Sequence, residues 1–326
     1  MTEGALDAAA ATEIAPPQSR RRSWRSYLLI PAVLVVLLLL WYLGGMLWYH
    51  RIGDDPEFGA VSSAPTGGSR AIAIMADLIE REIDTYEWLP NEPFFKPGFL
   101  LDNGPNFQIG MLTALSRIAV EFTDQLGRSR GSSQADPDLI NAAGLLRYPP
   151  DKWIFDLSTS WAPTAPSEQQ YRAAMRSLRQ YNERLGSGKA IFDRRSDNLI
   201  AALDRIAADL GSVSAASFNK IESSRNSWFD FAADDLFYSN KGLLYGYYMV
   251  LRDLGEDFAQ VLAERQATRN WALMLDSLRH AALLQPLVVL NGALDSMVKP
   301  NHLASQAFLL LRARVQLREV ADILLK

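Results

Sequence analysis

The stretch Tyr27–Tyr49 reads YLLIPAVLVVLLLLWYLGGMLWY and runs for 23 residues without a charged side chain. A helix of about 20 apolar residues is long enough to cross a hydrocarbon core of roughly 30 Å. Tyr27–Tyr49 is therefore predicted to be a transmembrane helix in contact with the lipid bilayer. Pro31 lies near its start, where a missing backbone N–H disturbs a helix least.

Two other interpretations of this stretch are a cleaved signal peptide and a buried helix of a soluble protein. The apolar core is longer than the roughly 7–15 residues of a signal peptide, and no clear A-x-A cleavage site follows it. A buried helix of a soluble protein is rarely apolar on every side for about six turns. An uncleaved signal anchor is the favoured interpretation.

The charges on either side of the apolar stretch differ in sign. Four arginines precede it and three acidic residues follow it: Arg20, Arg21, Arg22 and Arg25, then Asp54, Asp55 and Glu57. An excess of Lys and Arg marks the cytoplasmic side of a membrane-spanning helix. We therefore expect a single-pass protein with a cytoplasmic N-terminus and an exterior C-terminal domain.

Composition excludes several classes of site and partner. The 326-residue chain has no cysteine, so disulfides, cysteine-bound zinc and thiol nucleophiles are excluded. Residues 1–51 carry five of the 33 Lys and Arg and three of the 37 Asp and Glu, which leaves 28 basic and 34 acidic residues beyond them. A mildly acidic exterior domain argues against nucleic acid or anionic lipid as a main partner.

The remaining chain divides by composition into a tail, a linker and one large domain. Residues 1–26 are expected to be a disordered cytoplasmic tail. Residues 50–68, rich in Gly, Ser and Pro, are expected to be a flexible linker. Residues 69–326 are predicted to form a helical periplasmic-type domain that is soluble and stable without the membrane segment. The small polar residues 211–217 are a candidate joint between two subdomains.

Apolar residues recur at helical spacing through this domain, and no convincing alternation of strand type occurs. One run is spaced by 3, 4 and 4 residues: Ile72, Met75, Ile79 and Ile83. Another run has a leucine at every seventh residue: Leu303, Leu310, Leu317 and Leu324. The predicted fold class is all-α, with the transmembrane helix followed by seven to eight helices and long connectors rich in Pro and aromatic residues. Gly242-x-x-x-Gly246 is interpreted as a helix-packing motif.

The longest connector, 88–110, reads WLPNEPFFKPGFLLDNGPNFQIG and contains four prolines and three glycines. Its aromatic rings can each bury a large apolar area, so we expect an ordered loop that packs on the C-terminal helices. The rings expected to be buried are Trp88, Phe94, Phe95 and Phe99. Asp102 is expected to cap the helix that follows.

Four connector segments together resemble one bacterial family. They are 88–110, DDLFYSNKG at 234–242, QPLVVLNG at 285–292 and KPNHLA at 299–304. They are similar to the domain-of-unknown-function family 2333, and the resemblance covers nearly all of the chain beyond about residue 25. It implies a single N-terminal membrane helix, a helical exterior domain and no assigned activity. In a bacterium, the predicted topology corresponds to the inner membrane with the domain in the periplasm.

The sequence contains no H-E-x-x-H, G-x-S-x-G or G-x-x-x-x-G-K-[ST] motif. Asp276 and His280 are four residues apart and share a helix face, for which a surface hydrogen bond is the simplest interpretation. The adjacent Asp234 and Asp235 diverge by about 100° on a helix, and they favour its positive N-terminal end. We therefore predict no catalytic residue, no metal site and no cofactor.

Polar residues in the connectors allow two interpretations. Asn and Asp commonly cap helices and bond to the backbone of turns. Alternatively, the connectors converge on one groove, where amides and carboxylates orient a ligand between aromatic walls. The candidate ligand-binding residues under this second interpretation are Trp88, Asn91, Phe94, Asp102, Asn103, Asn106, Tyr238, Asn291, Asn301 and His302.

Three classes of function are compatible with these features. The favoured class is a membrane-anchored envelope protein that acts by protein–protein contact, as a scaffold or regulator, with an envelope protein as its partner. The second is a periplasmic binding module that holds a lipid, a peptide or a glycan fragment in an aromatic-lined groove. The third is a carboxylate- or His-dependent hydrolase of unrecognised type.

Overall fold

The computed structural model describes residues 24–49, 51–127, 135–155, 161–223, 230–293 and 296–326. The regular structure of these residues is helical, apart from one antiparallel β-bridge between Asn291 and Asn301. The all-α fold class is therefore confirmed. The tail predicted at 1–26 lies outside the described residues as far as position 23.

Helix α1 (Trp24–Tyr49) contains the apolar stretch. Its part Leu29–Tyr49 has 21 residues and a mean hydropathy of 2.4, which suits a membrane-spanning helix in length and composition. The chain divides after Gly44, and Gly45–Lys326 forms one compact unit.

Nine further α-helices follow in the described part of the chain. They are α2 (Arg70–Glu80), α3 (Asn103–Glu121), α4 (Pro137–Leu145), α5 (Ser167–Gly186), α6 (Ser196–Ser223), α7 (Phe231–Asp257), α8 (Ala259–Glu264), α9 (Thr268–Ala282) and α10 (His302–Leu325). π-Helical turns at Arg81–Thr85 and Phe122–Leu126 extend α2 and α3. The chain breaks at Phe258, so α7 and α8 are two helices rather than one.

Helix α7 lies at the centre of this domain and packs against α2, α3 and α9. Residues 240–251 are all buried, so the helix is enclosed by partners rather than buried along one seam. Glycines allow α3 and α7 to approach backbone to backbone. A Cβ added at Gly242 would overlap the carbonyl oxygen of Phe107, and one added at Gly110 would overlap that of Ser239. The packing role predicted for Gly242 is confirmed.

Helix α10 packs on α6 and α9 through the seven-residue repeat found in the sequence. All four leucines of that repeat are buried. The candidate joint at 211–217 lies inside the continuous helix α6. The small residues there admit a neighbouring helix: the guanidinium of Arg314 lies against Gly211, and its Nε donates to the carbonyl of Ala207 at 3.0 Å.

The segment 51–68 packs on the domain, in contrast to the flexible linker that the sequence predicts. The hydroxyl of Tyr245 donates to the carbonyl of Asp55 at 2.7 Å. Arg252 Nη1 donates to the carbonyl of Pro56 at 2.9 Å. These acceptors are backbone oxygens, which any sequence provides, so the Gly, Ser and Pro content of the segment did not reveal them.

An ion pair completes this attachment. Lys241 on α7 is 1% exposed, and its Nζ lies 2.7 Å from Asp54 Oδ2 and donates to the carbonyl of Leu284 at 2.8 Å. Gln285 Nε2 also donates to Asp54 Oδ2, at 2.7 Å. Burial lowers the pKa of Lys241. We call the contacts of residues 54–58 with Lys241, Tyr245 and Arg252 the latch.

The connector that follows α2 is ordered, but its aromatic residues divide into two groups. Trp88 is buried, as predicted. Phe94, Phe95 and Phe99 are 74%, 53% and 52% exposed, so the prediction that they are buried is wrong. The backbone is held by a turn in which Lys96 N donates to the carbonyl of Pro93 at 2.9 Å. This local turn orders the segment without burial of its phenylalanine rings.

Candidate functional site

The ten candidate residues form three sets of contacts. The first group attaches the connector after α2 to the connector between α4 and α5. Trp88 Nε1 donates to the carbonyl of Pro150 at 2.9 Å, and Asn91 Nδ2 donates to the carbonyl of Lys152 at 2.8 Å. Both side chains are buried, whereas Phe94 is exposed. Trp88 and Asn91 therefore join two connectors.

The second group fixes the connector before α10. Asn301 is the N-cap of α10, and its Oδ1 accepts from the backbone of Ala304 at 2.8 Å. Its Nδ2 donates to Asn291 Oδ1 at 2.9 Å. The Nδ1 atom of His302 accepts from the backbone of Leu290 at 2.9 Å, and burial lowers the pKa of this imidazole. The capping interpretation is confirmed for Asn301.

The third group forms an acidic cluster where the first turns of α3 and α7 meet. Asn106 Nδ2 donates to Asp235 Oδ1 at 2.8 Å. With its amide nitrogen turned toward the carboxylates, Asn103 donates to Asp234 Oδ2 at 2.7 Å and to Asp102 Oδ1 at 3.2 Å. Asp102 occupies the N-cap position of α3, but its side chain makes no capping hydrogen bond, so its predicted role is wrong. Its carboxylate lies close enough to Asp234 and Asp235 for its charge to act on both.

Burial and mutual repulsion perturb the ionisation of this acidic cluster. Burial, followed by the charges of Asp102 and Asp235, raises the pKa of Asp234 to about 6. Burial also raises the pKa of Asp235. Tyr238 is buried beside these carboxylates, and its pKa is raised by burial and then by the charges of Asp234 and Asp102. Burial and these neighbouring charges therefore favour the protonated form of the Asp234 carboxyl.

A cavity of about 250 Å³ between α3 and α6 contains charged residues that are not among the ten candidates. Arg117 forms an ion pair with Asp209, which also accepts from the hydroxyl of Tyr247 at 2.5 Å. Arg205 and Glu121 line the same cavity, and burial raises the pKa of Glu121. The signal was present as two pairs at i, i+4 spacing, Arg117 with Glu121 and Arg205 with Asp209.

The Asp276 and His280 pair lies on the surface of α9. His280 Nδ1 is 2.9 Å from the carbonyl of Asp276 and 3.4 Å from its Oδ2, and both side chains are more than half exposed. The predicted surface hydrogen bond is confirmed. Among the residues that the structure describes, no group of three or more His, Asp or Glu side chains is arranged to hold a metal ion.

The sequence matches one family model across nearly its whole length. The model of family 2333, described as an uncharacterized protein conserved in bacteria, matches residues 23–225 and 215–326. The chain belongs to this family, as the connector segments indicated. No curated protein and no solved structure is similar enough to match the chain.

Proposed function

We propose that this member of the family is a single-pass protein of the bacterial inner membrane, whose periplasmic domain acts by protein–protein contact as a scaffold or regulator. Leu29–Tyr49 serves as the anchor. The latch holds residues 54–58 on α7, so this part of the predicted linker belongs to the folded domain. A domain of this kind can present a defined surface to a neighbouring envelope protein.

The observation that carries this proposal is the apolar surface of the connector before α10. Leu287 and Met297 are fully exposed, and Val288 and Val298 are also largely exposed. The β-bridge between Asn291 and Asn301 joins the two ends of the stretch that holds Met297 and Val298. Exposed apolar side chains on a fixed backbone favour protein contact, because little conformational entropy is lost when they are buried by a partner.

Affinity purification of the full chain from detergent-solubilised membranes tests the proposal. We expect a protein to be recovered in near-stoichiometric amount with the wild type and to be lost when Met297→Glu and Val298→Glu are combined. A purified sample of that protein should then bind the wild type and not the double variant. Val61→Glu is the matched control, because Val61 is equally apolar and exposed but lies in another segment. Equal recovery with all three chains would contradict the proposal.

The topology in this proposal has its own test. Four arginines before the helix and three acidic residues after it favour an N-terminus in the cytoplasm and a domain in the periplasm. Alkaline phosphatase fused after Lys326 should be active, because that enzyme requires the periplasm. A green fluorescent protein fused at the same position should stay dark. The opposite pair of signals would reverse the topology.

A further inference from the structure

An exposed aromatic surface lies beside the end of the apolar helix. We call Phe94, Phe95, Phe99, Trp153 and Phe155 the aromatic surface. Four of its rings, those of Phe94, Phe95, Trp153 and Phe155, form a chain of edge-to-face contacts from one connector to another. The ring centroids are 5.6 Å apart for Phe94 and Phe95, 6.1 Å for Phe95 and Trp153, and 5.5 Å for Trp153 and Phe155. Two connectors distant in sequence thus contribute to one continuous apolar surface.

Contacts within Gly45–Lys326 locate this surface relative to the end of α1. The ring of Pro97 occupies the space that a Cβ of Gly45 would fill. The hydroxyl of Tyr49, the last residue of α1, donates to Glu87 Oε2 at 3.3 Å. Pro97 separates Phe95 from Phe99 in the sequence, so the aromatic surface adjoins the last turns of the apolar helix.

The length of the apolar helix determines the depth of these contacts. At about 1.5 Å per residue, Leu29–Tyr49 is as long as a hydrocarbon core of roughly 30 Å, and Gly45 lies about 6 Å before its end. The headgroup layer adds roughly 5–8 Å on each side of the core. A residue that touches Gly45 must therefore lie at the level of the membrane surface when α1 spans the bilayer.

We infer that the aromatic surface inserts into the headgroup layer of the bilayer that α1 spans, so that the domain is docked on the membrane. Aromatic side chains are enriched at this depth, because their rings are apolar and tolerate the polar headgroups. The lipid surface is the occupant that the geometry favours, since it is continuous with the helix that the rings adjoin. This inference rests on the membrane anchor in the proposed function, and it does not depend on a protein partner.

Fluorescence quenching in lipid vesicles tests the inference with the full chain. The chain lacks cysteine, so a single introduced cysteine carries the only label. Phe94→Cys is labelled with a polarity-sensitive fluorophore in vesicles of phosphatidylethanolamine and phosphatidylglycerol. We expect a blue-shifted emission and several-fold stronger quenching by lipids spin-labelled near the headgroup than for the same label at Phe308→Cys. Phe308 is an exposed aromatic residue of α10 and serves as the matched control.

Further variants separate the possible outcomes. Replacement of Phe95, Phe99 and Phe155 by serine in the Phe94→Cys chain should abolish the excess quenching, and these exposed residues are not needed for the core. A label at Leu40→Cys, near the middle of the apolar part of α1, reports the anchor itself through lipids that are spin-labelled deep in the acyl chains. If Leu40 is quenched by lipid and Phe94 is not, docking is wrong and the anchor stands. If neither is quenched, the anchor and docking both fail. A blue-shifted emission of the Phe94→Cys label in native membranes but not in vesicles would mean that the aromatic surface binds a protein instead of lipid.

Discussion

Asp234 is a partly buried carboxylate whose ionisation opposes folding. Its pKa is raised to about 6 from an ordinary value of 3.8, by burial and then by the charges of Asp102 and Asp235. Between these two pH values the folded protein holds a proton that the unfolded chain has released. The free energy of unfolding therefore falls as the pH rises through this window and is highest, with respect to this group, below about pH 4.

Replacement of Asp234 by Asn should remove this pH-dependent decrease in the free energy of unfolding. Since one pKa unit corresponds to about 1.4 kcal/mol and partial exposure screens the charge, we expect the variant to gain on the order of 1 kcal/mol over the wild type near pH 7.5. Near pH 3.5 the difference should vanish, because both states of the wild type are then protonated. Urea unfolding of the full chain in micelles at the two pH values measures this gain.

Asp204→Asn is the control for this prediction. Asp204 is an exposed carboxylate within α6, away from the acidic cluster. Its replacement should change the free energy of unfolding only slightly, as surface substitutions usually do. A gain for Asp234→Asn that is independent of pH would show that the pKa of Asp234 is not raised by burial or by its neighbours.

At the scale of single residues, local patterns in the sequence predicted some roles and not others. Pro300-Asn301 before a helix predicted a cap, and Asn301 makes that bond. Asp102 also precedes a helix, yet its carboxylate joins a cluster with Asp234, which is far away in the sequence. A cap depends on residues three positions apart, whereas the cluster depends on the packing of α3 against α7. A cap can therefore be recognised from the sequence alone, whereas the cluster can be recognised only once the fold is known.

At the scale of elements, the crossing of α3 and α7 depends on two glycines that face each other's backbones. Helical propensity alone favours replacement of a helical glycine by alanine, by up to about 1 kcal/mol. At Gly242 the added Cβ would overlap the carbonyl oxygen of Phe107, and backbone cannot move aside as a flexible side chain can. At Gly242 the free-energy cost of this overlap should therefore exceed the gain from helical propensity.

We expect Gly242→Ala to lower the free energy of unfolding by about 1–3 kcal/mol or more, as overpacked cores do. Gly144→Ala is the matched control. Gly144 is helical like Gly242, but it is exposed and a Cβ there meets nothing within 4 Å. That variant should gain up to about 1 kcal/mol from propensity. Thermal unfolding of both variants beside the wild type gives the comparison. A stabilised Gly242→Ala chain would mean that α3 and α7 do not approach at this glycine.

The sequence predicts the role of one of the two glycines at this crossing. The spacing of Gly242 and Gly246 is a recognised sign of close helix approach. Gly110 stands at the end of a connector rich in proline and glycine, where its role in packing had no separate signal. The central part of α7 is buried on all sides, and such a helix has no amphipathic period that could reveal its partners.

At the scale of the whole molecule, the latch changes where the folded domain begins. The sequence predicts a stable domain from Ser69, because residues 50–68 have the composition of a linker. The structure includes residues 54–58 in the domain through Asp54, Asp55 and Pro56. A chain that begins at Ser69 would leave Lys241, which is 1% exposed in the full chain, without its carboxylate partner. Composition identifies a segment that cannot form its own core, but it does not show whether a core elsewhere binds that segment.

A chain that begins at Arg51 should therefore be more stable than one that begins at Ser69. Removal of one partner from a buried ion pair typically costs about 3–5 kcal/mol, because the remaining charge has lost its compensation. We expect the Arg51 chain to be soluble and helical by circular dichroism, and the Ser69 chain to unfold at a markedly lower urea concentration.

Lys241→Met distinguishes the latch from a general effect of chain length, because its sign should depend on where the chain begins. In the Arg51 chain the substitution leaves Asp54 without its lysine and should destabilise the domain. In the Ser69 chain it replaces an uncompensated buried ammonium with an apolar side chain of similar size and should stabilise the domain. Urea unfolding of the four chains gives both signs in one experiment. Equal stability of the Arg51 and Ser69 chains, or the same sign of Lys241→Met in both, would mean that residues 54–58 do not hold to α7 through this ion pair.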